Sequence, residues 1–232
     1  MFINGFDILW DEIDDYVADI QSIRSIDQLT FSKPVTFFCG ENGSGKSTLL
    51  EALAILNGLN PEGGTRNYNF STYDSYSDLH NHMRLWRSRK PDWMYFLRAE
   101  SFYNVATKEM EYSGVFSERY HDQSHGQSFF SVLMKQTNKN GLYLLDEPEA
   151  ALSCQNQLAL LYLIQSCVKQ NCQFIIATHS PILLGFPGAQ ILSFDEGKIE
   201  EVDYKSTSSY QTMKLFLDRY DYFVEDIKEN EI

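Results

Sequence analysis

The sequence is short of positive charge. Its 232 residues carry 19 Lys and Arg against 32 Asp and Glu, a formal net charge of −13. Such a chain does not hold nucleic acid by bulk charge, because neutralising phosphates takes clustered Lys and Arg. Long apolar runs are also missing. The longest, Leu158–Ile164, has seven residues, against the roughly 20 that a membrane-spanning helix needs. The first residues include Asp7, Asp11 and Glu12 with no early base. That is the wrong charge for a secretory signal, so a cytoplasmic protein is expected. The four cysteines, Cys39, Cys154, Cys167 and Cys172, show no C-x-x-C spacing. This argues against zinc and redox motifs and leaves free thiols in a reducing compartment as the expectation. Internal repeats, coiled-coil heptads and low-complexity tracts are absent from the sequence as well.

What is present describes a folded domain. The sequence is 43% hydrophobic and 14% aromatic, too apolar for disorder. A chain of this length buries roughly 70% of its unfolded surface. Its charge is uneven: residues 1–32 and 195–232 each carry −6, and the middle carries −1. Within that middle, Val35–Cys39, Leu142–Leu145 and Gln173–Ala177 are short apolar runs of strand length. They read as fully buried strands of a parallel sheet. Helical patterns follow at Lys46–Asn57, Ala150–Gln170 and after Pro181. Trp93–Arg98 and Gln190–Phe194 are further strands. The latter is followed by a turn at Asp195–Gly197 and a strand at Lys198–Val202. The first 32 residues alternate acids with Ile, Val, Phe and Tyr and read as edge strands. Residues 59–91 read as a loop plus a short helix, and 207–220 have helical spacing at Tyr210, Met213, Leu217 and Tyr220.

Four segments carry chemistry. Gly40-Glu41-Asn42-Gly43-Ser44-Gly45-Lys46-Ser47 matches the P-loop pattern G-x-x-x-x-G-K-[ST] between a strand and a helix. Its glycines let backbone N–H groups turn inward around a phosphate, and the helix start adds its positive dipole end. Lys46 supplies a charge for the β- and γ-phosphates, and Ser47 offers a hydroxyl to Mg²⁺. Leu142–Leu145 delivers Asp146 and Glu147 to the carboxyl end of a buried strand, where open α/β sheets bind ligands. There Asp146 can hold the metal through water and Glu147 can orient an attacking water. Thr178-His179-Ser180-Pro181 follows a third strand, so His179 can reach a γ-phosphate. Ser124-His125-Gly126-Gln127-Ser128 precedes a helix near Phe129, a second anion-binding arrangement.

In this order the segments resemble those of ATP-binding cassette (ABC) ATPases. Gly40–Ser47, with Thr48, resembles Walker A. Ser124–Ser128 resembles the signature, with His125 where transporters usually have Gly. Leu142–Glu147 resembles Walker B and the catalytic Glu. Ala150–Ser153 falls at the D-loop, with Ser153 in place of Asp, and His179 resembles the switch His. The wording is closest to small bacterial ATPases of the AAA/ABC type allied to SMC heads. The resemblance implies an α/β P-loop NTPase fold with a mostly parallel central sheet, antiparallel N-terminal edge strands and a short helical insertion. It implies one domain over 1–232, with 33–58 and 138–232 as the core lobe and about 69–137 as a short helical and signature-bearing subdomain. It further implies ATP and Mg²⁺ as cofactors. The expected cycle is head-to-tail homodimerisation on ATP, with Ser124, Gly126 and Gln127 meeting the partner copy's nucleotide, hydrolysis, and switching of an effector protein.

Other features depart from the pattern. A Q-loop Gln should follow Trp93–Arg98, and the sequence has Ala99-Glu100-Ser101. Tyr16 and Arg24 are the upstream candidates for stacking on adenine. Arg84, Arg87, Arg89 and Lys90, with Trp86 and Trp93 nearby, suit either nucleic acid or a solvated, internally paired face. The alternatives are therefore the nucleotide-binding subunit of a transporter, or an ATP-dependent accessory or sensor in DNA repair or phage defence. A P-loop kinase would leave Ser124–Ser128 and His179 without a role.

Overall fold

Alternation of side chains between two buried faces explains the architecture. The computed structural model describes residues 1–10, 13, 15–65, 76–99, 133–134, 137 and 140–229. The chain opens with β1 (Ile3–Ile8), a 3₁₀ turn at Tyr16–Asp19, α1 (Gln21–Arg24) and β2 (Gln28–Thr30). Then come β3 (Val35–Cys39), α2 (Lys46–Leu56), β4 (Met83–Arg87) and β5 (Trp93–Arg98). From residue 140 onward follow β6 (Gly141–Asp146), α3 (Cys154–Val168), β7 (Gln173–Ala177) and α4 (Pro181–Leu184). The chain ends in β8 (Gln190–Ser193), β9 (Glu200–Glu201), α5 (Ser208–Asp218) and α6 (Tyr220–Glu229).

The central sheet has the order β5-β6-β7-β3-β8-β9. Its first five strands are parallel, and β9 closes the edge antiparallel to β8. In β3, β6 and β7 every residue is buried, as a sheet covered on both faces requires. Period-two alternation divides the side chains between two cores. Phe38, Phe96, Leu142, Leu144 and Ile175 join α2 on one face, with Phe2, Phe6 and Phe31 beyond it. Phe37, Tyr95, Tyr143, Leu145 and Phe174 meet Leu160 and Ile164 of α3 and Leu183 of α4 on the other. Each such side chain contributes about 1.5–3 kcal/mol through burial. Among the described residues, no helix is long and apolar enough to cross a membrane.

The expected antiparallel N-terminal strands are present, in a sheet of their own with the order β2-β1-β4. The stretch 59–91, read as loop and short helix, does hold a short 3₁₀ helix at Asp78–His82, but Met83–Arg87 after it is a strand paired with β1 and corrects that part of the reading. Its apolar residues Met83, Leu85 and Trp86 are interrupted by the exposed Arg84 and closed by the exposed Arg87, so no clear two-residue period shows in the sequence. The helix read from Ala150 also starts later. Pro148–Ala151 forms a 3₁₀ turn, and Ser153, at the D-loop position, accepts a hydrogen bond from Asn156 N–H as N-cap of α3.

Two glutamines join the sheets. Gln173, fully buried at the start of β7, accepts from Phe2 N–H (2.6 Å) and Ile3 N–H (3.0 Å) and donates to Ile3 C=O (2.8 Å). Gln190, at the start of β8, accepts from Ser32 N–H and donates to Thr30 C=O and Glu201. A Gln173→Leu variant strands three buried backbone groups. Its expected cost is about 2–4 kcal/mol, read as a lower denaturation midpoint at unchanged slope in guanidinium.

Candidate functional site

Strand register sets the site. In-register pairing aligns Arg98 of β5 with Asp146 of β6, Asp146 with Ala177 of β7, and Ala177 with Phe38 of β3. All four strands run parallel, so the P-loop after β3, the acidic pair ending β6 and the Thr178–Pro181 segment after β7 emerge together. Segments far apart in sequence thus share one edge of the sheet.

The P-loop wraps its own lysine. Lys46 is buried, and its Nζ donates to the carbonyls of Gly40 (2.8 Å) and Glu41 (2.7 Å). Burial lowers the pKa of its ammonium group, while Glu147, Asp195 and Asp146 work in the opposite direction. Gly45 has φ 95° as N-cap of α2 and provides no side-chain cap. A Cβ there would stand 2.8 Å from Ile20 and 2.9 Å from Ile23, so only glycine lets α1 lie against the loop. Ser22 Oγ donates to Ser44 C=O across the same contact. On the other side Asp195 accepts from Glu41 N–H (2.9 Å) and from Ser193 Oγ.

Ser47 and Asp146 meet as the sequence implies. Ser47 Oγ donates to Asp146 Oδ1 at 2.9 Å. A hydroxyl and a carboxylate converging at a P-loop are hard oxygen donors suited to Mg²⁺. Among the described residues no group of three or more His, Cys, Asp or Glu gathers around a metal position. An ion at Ser47 and Asp146 would therefore take its remaining ligands from phosphate and water, as Mg²⁺ usually does.

Glu147 and His179 face each other. Glu147 sits at φ 48°, ψ 50°, a left-handed conformation that costs a non-glycine residue about 1 kcal/mol or more. That twist turns the chain out of β6 directly after Asp146. Glu147 Oε1 lies 3.5 Å from His179 Nε2. Among the described residues His179 Nε2, itself buried, has no hydrogen-bond partner, so it is an available polar atom at the site. Its backbone is anchored: His179 N–H donates to Glu149 Oε1 at 2.6 Å. Ser180 caps α4 and donates its hydroxyl to Gln157 of α3 at 2.6 Å.

The structure adds residues that motif reading missed. Arg98 brings Nε to 3.4 Å from Asp146 Oδ2, pairs with Glu51 of α2 and donates to Pro61 C=O (3.2 Å). Burial raises the Glu51 pKa and the Arg98 charge opposes this. Arg98 thus bridges the end of β6 to the P-loop helix. The available signal was a lone Arg ending an apolar strand. Glu149, Asp195 and Ser22 belong to the same supporting shell. Tyr16 lines a cleft of about 1010 Å³ beside Glu41–Ser44, together with Gln21 and Asp195. Arg24 instead stacks on Trp10 at 4.5 Å.

Ser124, Gly126 and Gln127, the rest of the signature and Glu100 lie outside the described residues. The basic cluster is partly engaged within the chain. Arg87 donates to Asn57 Oδ1 (2.8 Å) and Leu56 C=O (2.9 Å) at the carboxyl end of α2, where a cation is favoured. The Arg89 guanidinium lies 4.6 Å over the Phe2 ring.

Because Arg98 is partly exposed, its pairs are screened, and Arg98→Ala is expected to cost about 1–2 kcal/mol of stability. Thermal denaturation with Arg98→Lys alongside checks this: lysine restores charge but not the forked geometry, so recovery should be partial.

Comparison with known proteins agrees with this geometry. An AAA domain model matches residues 18–145, and an AAA ATPase domain model matches 125–184. A Haemophilus influenzae protein described as an uncharacterized ABC transporter ATP-binding protein is 28% identical, over 68% of this chain and 68% of its own. The structure of cbiO1 from Clostridium perfringens, part of the ABC transporter complex cbiONQ, is 17% identical with a TM-score of 0.50. That match covers 97% of this chain and 100% of cbiO1. An SMC head domain from Thermotoga maritima is also similar, with 14% identity and a TM-score of 0.49 over 88% of this chain and 100% of that one. The AAA domain match spans more than half of the sequence, and with the P-loop, acidic pair and parallel sheet it establishes that the chain belongs to the AAA-domain family of ABC-type P-loop ATPases.

Proposed function

We propose that the chain is an Mg²⁺-dependent ATPase whose nucleotide lies on Gly40–Thr48 and whose turnover drives a partner protein. The observation that carries this reading is the meeting of Ser47 and Asp146 at 2.9 Å, with Glu147 and His179 facing each other at the neighbouring strand ends. Lys46 exchanges the Gly40 and Glu41 carbonyls for β- and γ-phosphate oxygens. The N–H groups of Gly43–Thr48 and the start of α2 meet the same charge. Ser47 and Asp146 would hold Mg²⁺, which when bound would neutralise part of the phosphate charge. Glu147 orients the attacking water, and His179 Nε2 contacts the γ-phosphate. Ser124, Gly126 and Gln127 of a second copy complete the site across a head-to-tail dimer, so ATP closes the dimer and hydrolysis releases it.

The identity of the partner divides two readings. The description of the Haemophilus relative supports a transporter's nucleotide-binding subunit more strongly than a free-standing switch. The Ala99-Glu100-Ser101 sequence at the Q-loop position is the observation that keeps the switch in view. Co-purification with a membrane protein supports the first, and a nucleotide-dependent complex with a non-membrane effector supports the second.

Glu147→Gln is expected to keep ATP affinity and lose about 100-fold or more in turnover, accumulating as a dimer by light scattering with ATP and Mg²⁺. A monomer under saturating nucleotide would sink the dimer. Lys46→Ala should weaken ATP binding roughly 10- to 100-fold, because a charge-assisted phosphate contact is worth about 1.5–3 kcal/mol. His179→Ala should bind normally and stop turning over, and a normal steady-state phosphate-release rate would refute its role.

A further inference from the structure

The core face of α3 carries a polar residue where its pattern calls for an apolar one. The buried positions of this helix are Gln157, Leu160, Ile164 and Cys167, three or four residues apart as a core stripe requires. Gln157, at the head of that stripe, is 8% exposed. A buried amide costs free energy unless its donor and acceptor are both bonded. Here both are. Nε2 donates to Leu152 C=O at 3.0 Å, and Oε1 accepts from Ser180 Oγ at 2.6 Å. Gln157 therefore reaches out of its helix in two directions. One leads back to the turn that follows Glu147, the other across to the segment that carries His179.

The same two segments are tied at further points. Glu149 Oε1 accepts from His179 N–H at 2.6 Å, and Glu147 N–H donates to Ala177 C=O at 2.9 Å. Each segment is also braced within itself. Ala150 N–H donates to Glu147 C=O and Leu152 N–H to Glu149 C=O, both at 3.0 Å. Ser180 Oγ accepts from Ile182 and Leu183 N–H as cap of α4, and Ser180 N–H donates to Thr178 Oγ1. Both neighbours of His179 are thus held, Thr178 by its N–H on Phe38 C=O and Ser180 by Gln157. The imidazole is what remains to act. Among the described residues its Nε2 has no hydrogen-bond partner, and it lies 3.5 Å from Glu147 Oε1.

We propose that Gln157 and Glu149 are positioning residues for turnover, two bridges that fix the His179 ring opposite the Glu147 carboxylate. Each acts through His179. A single hydrogen bond would let the segment pivot about it, and bonds at two successive residues remove that pivot. The kinetic part of this inference rests on the ATPase reading above, and its spectroscopic part needs no nucleotide.

The test combines imidazole NMR of the nucleotide-free full chain with steady-state ATP hydrolysis. The chain has five histidines, and the His179 resonance is the one lost in His179→Ala. Gln157→Met keeps the length of the side chain and breaks both bonds. It should shift or broaden the His179 resonance and leave the other four histidines in place. It should also lower kcat about tenfold or more, since a small misplacement of a reacting group costs at least that much. KM for ATP should not change, because neither bond involves the phosphate loop. Glu149→Leu should act in the same way. Glu149→Gln should recover most of the loss: it keeps an acceptor for His179 N–H, and Oε2 has no partner among the described residues to lose. Glu149 is only half-buried, so its variants decide the matter if Gln157→Met does not fold. Four results would overturn the proposal: an unmoved His179 resonance, a shifted resonance with unchanged kcat, a raised KM at constant kcat, or Glu149→Gln as damaged as Glu149→Leu. A parental chain that hydrolyses no ATP would sink the ATPase reading, and the His179 resonance would then decide the bridges by itself.

Discussion

The carboxylate of Asp146 is the point on which the site turns. One oxygen accepts from Ser47 at the start of α2, and the other faces Arg98 from the neighbouring strand. Arg98 in turn reaches Glu51 in the same helix. The P-loop helix is therefore clamped to the end of the sheet at two places, through groups of opposite charge. In a partly buried setting such groups tolerate little displacement, because an unpaired charge there is costly. Proper placement of Glu147 and His179 follows from this clamp, since both leave the sheet within two residues of the row containing Asp146.

That row exists because parallel strands carry their loops at the same end. Crossovers through α2 and α3 return the chain to begin each strand from one side, so P-loop, acidic pair and histidine segment accumulate on the other. The antiparallel sheet serves a different purpose. It covers α2 and closes the phenylalanine-rich core over it. Gln173 and Gln190 hold it there, spending buried amides on backbone groups of β1 and of the residues around β2 that would otherwise lack partners.

Much of this was legible in the sequence. The β3, β5 and β7 boundaries agree with the apolar runs that marked them, because fully buried parallel strands are continuous apolar segments bounded by turn residues. The P-loop, Asp146, Glu147 and His179 were legible because their spacing and neighbours are unusual together. The strand Met83–Arg87 was not, because the exposed Arg84 and Arg87 break up its few apolar residues. Arg98, Glu149 and Asp195 were not either: each is an ordinary charged residue until folding sets it beside a partner far away in sequence.

Sequence alone thus determined the class of fold, the phosphate-binding loop and the chemistry its side chains offer, since these depend on local residue types and their periodicity. It also placed most of the negative charge at the two ends. Only tertiary structure decided which residues support the site, that the amino-terminal strands form a separate sheet, and that the carboxyl-terminal helix Ser208–Asp218 buries none of its residues. Those are matters of which distant segments become neighbours, and strand order and sheet packing settle them through contacts that no local pattern encodes.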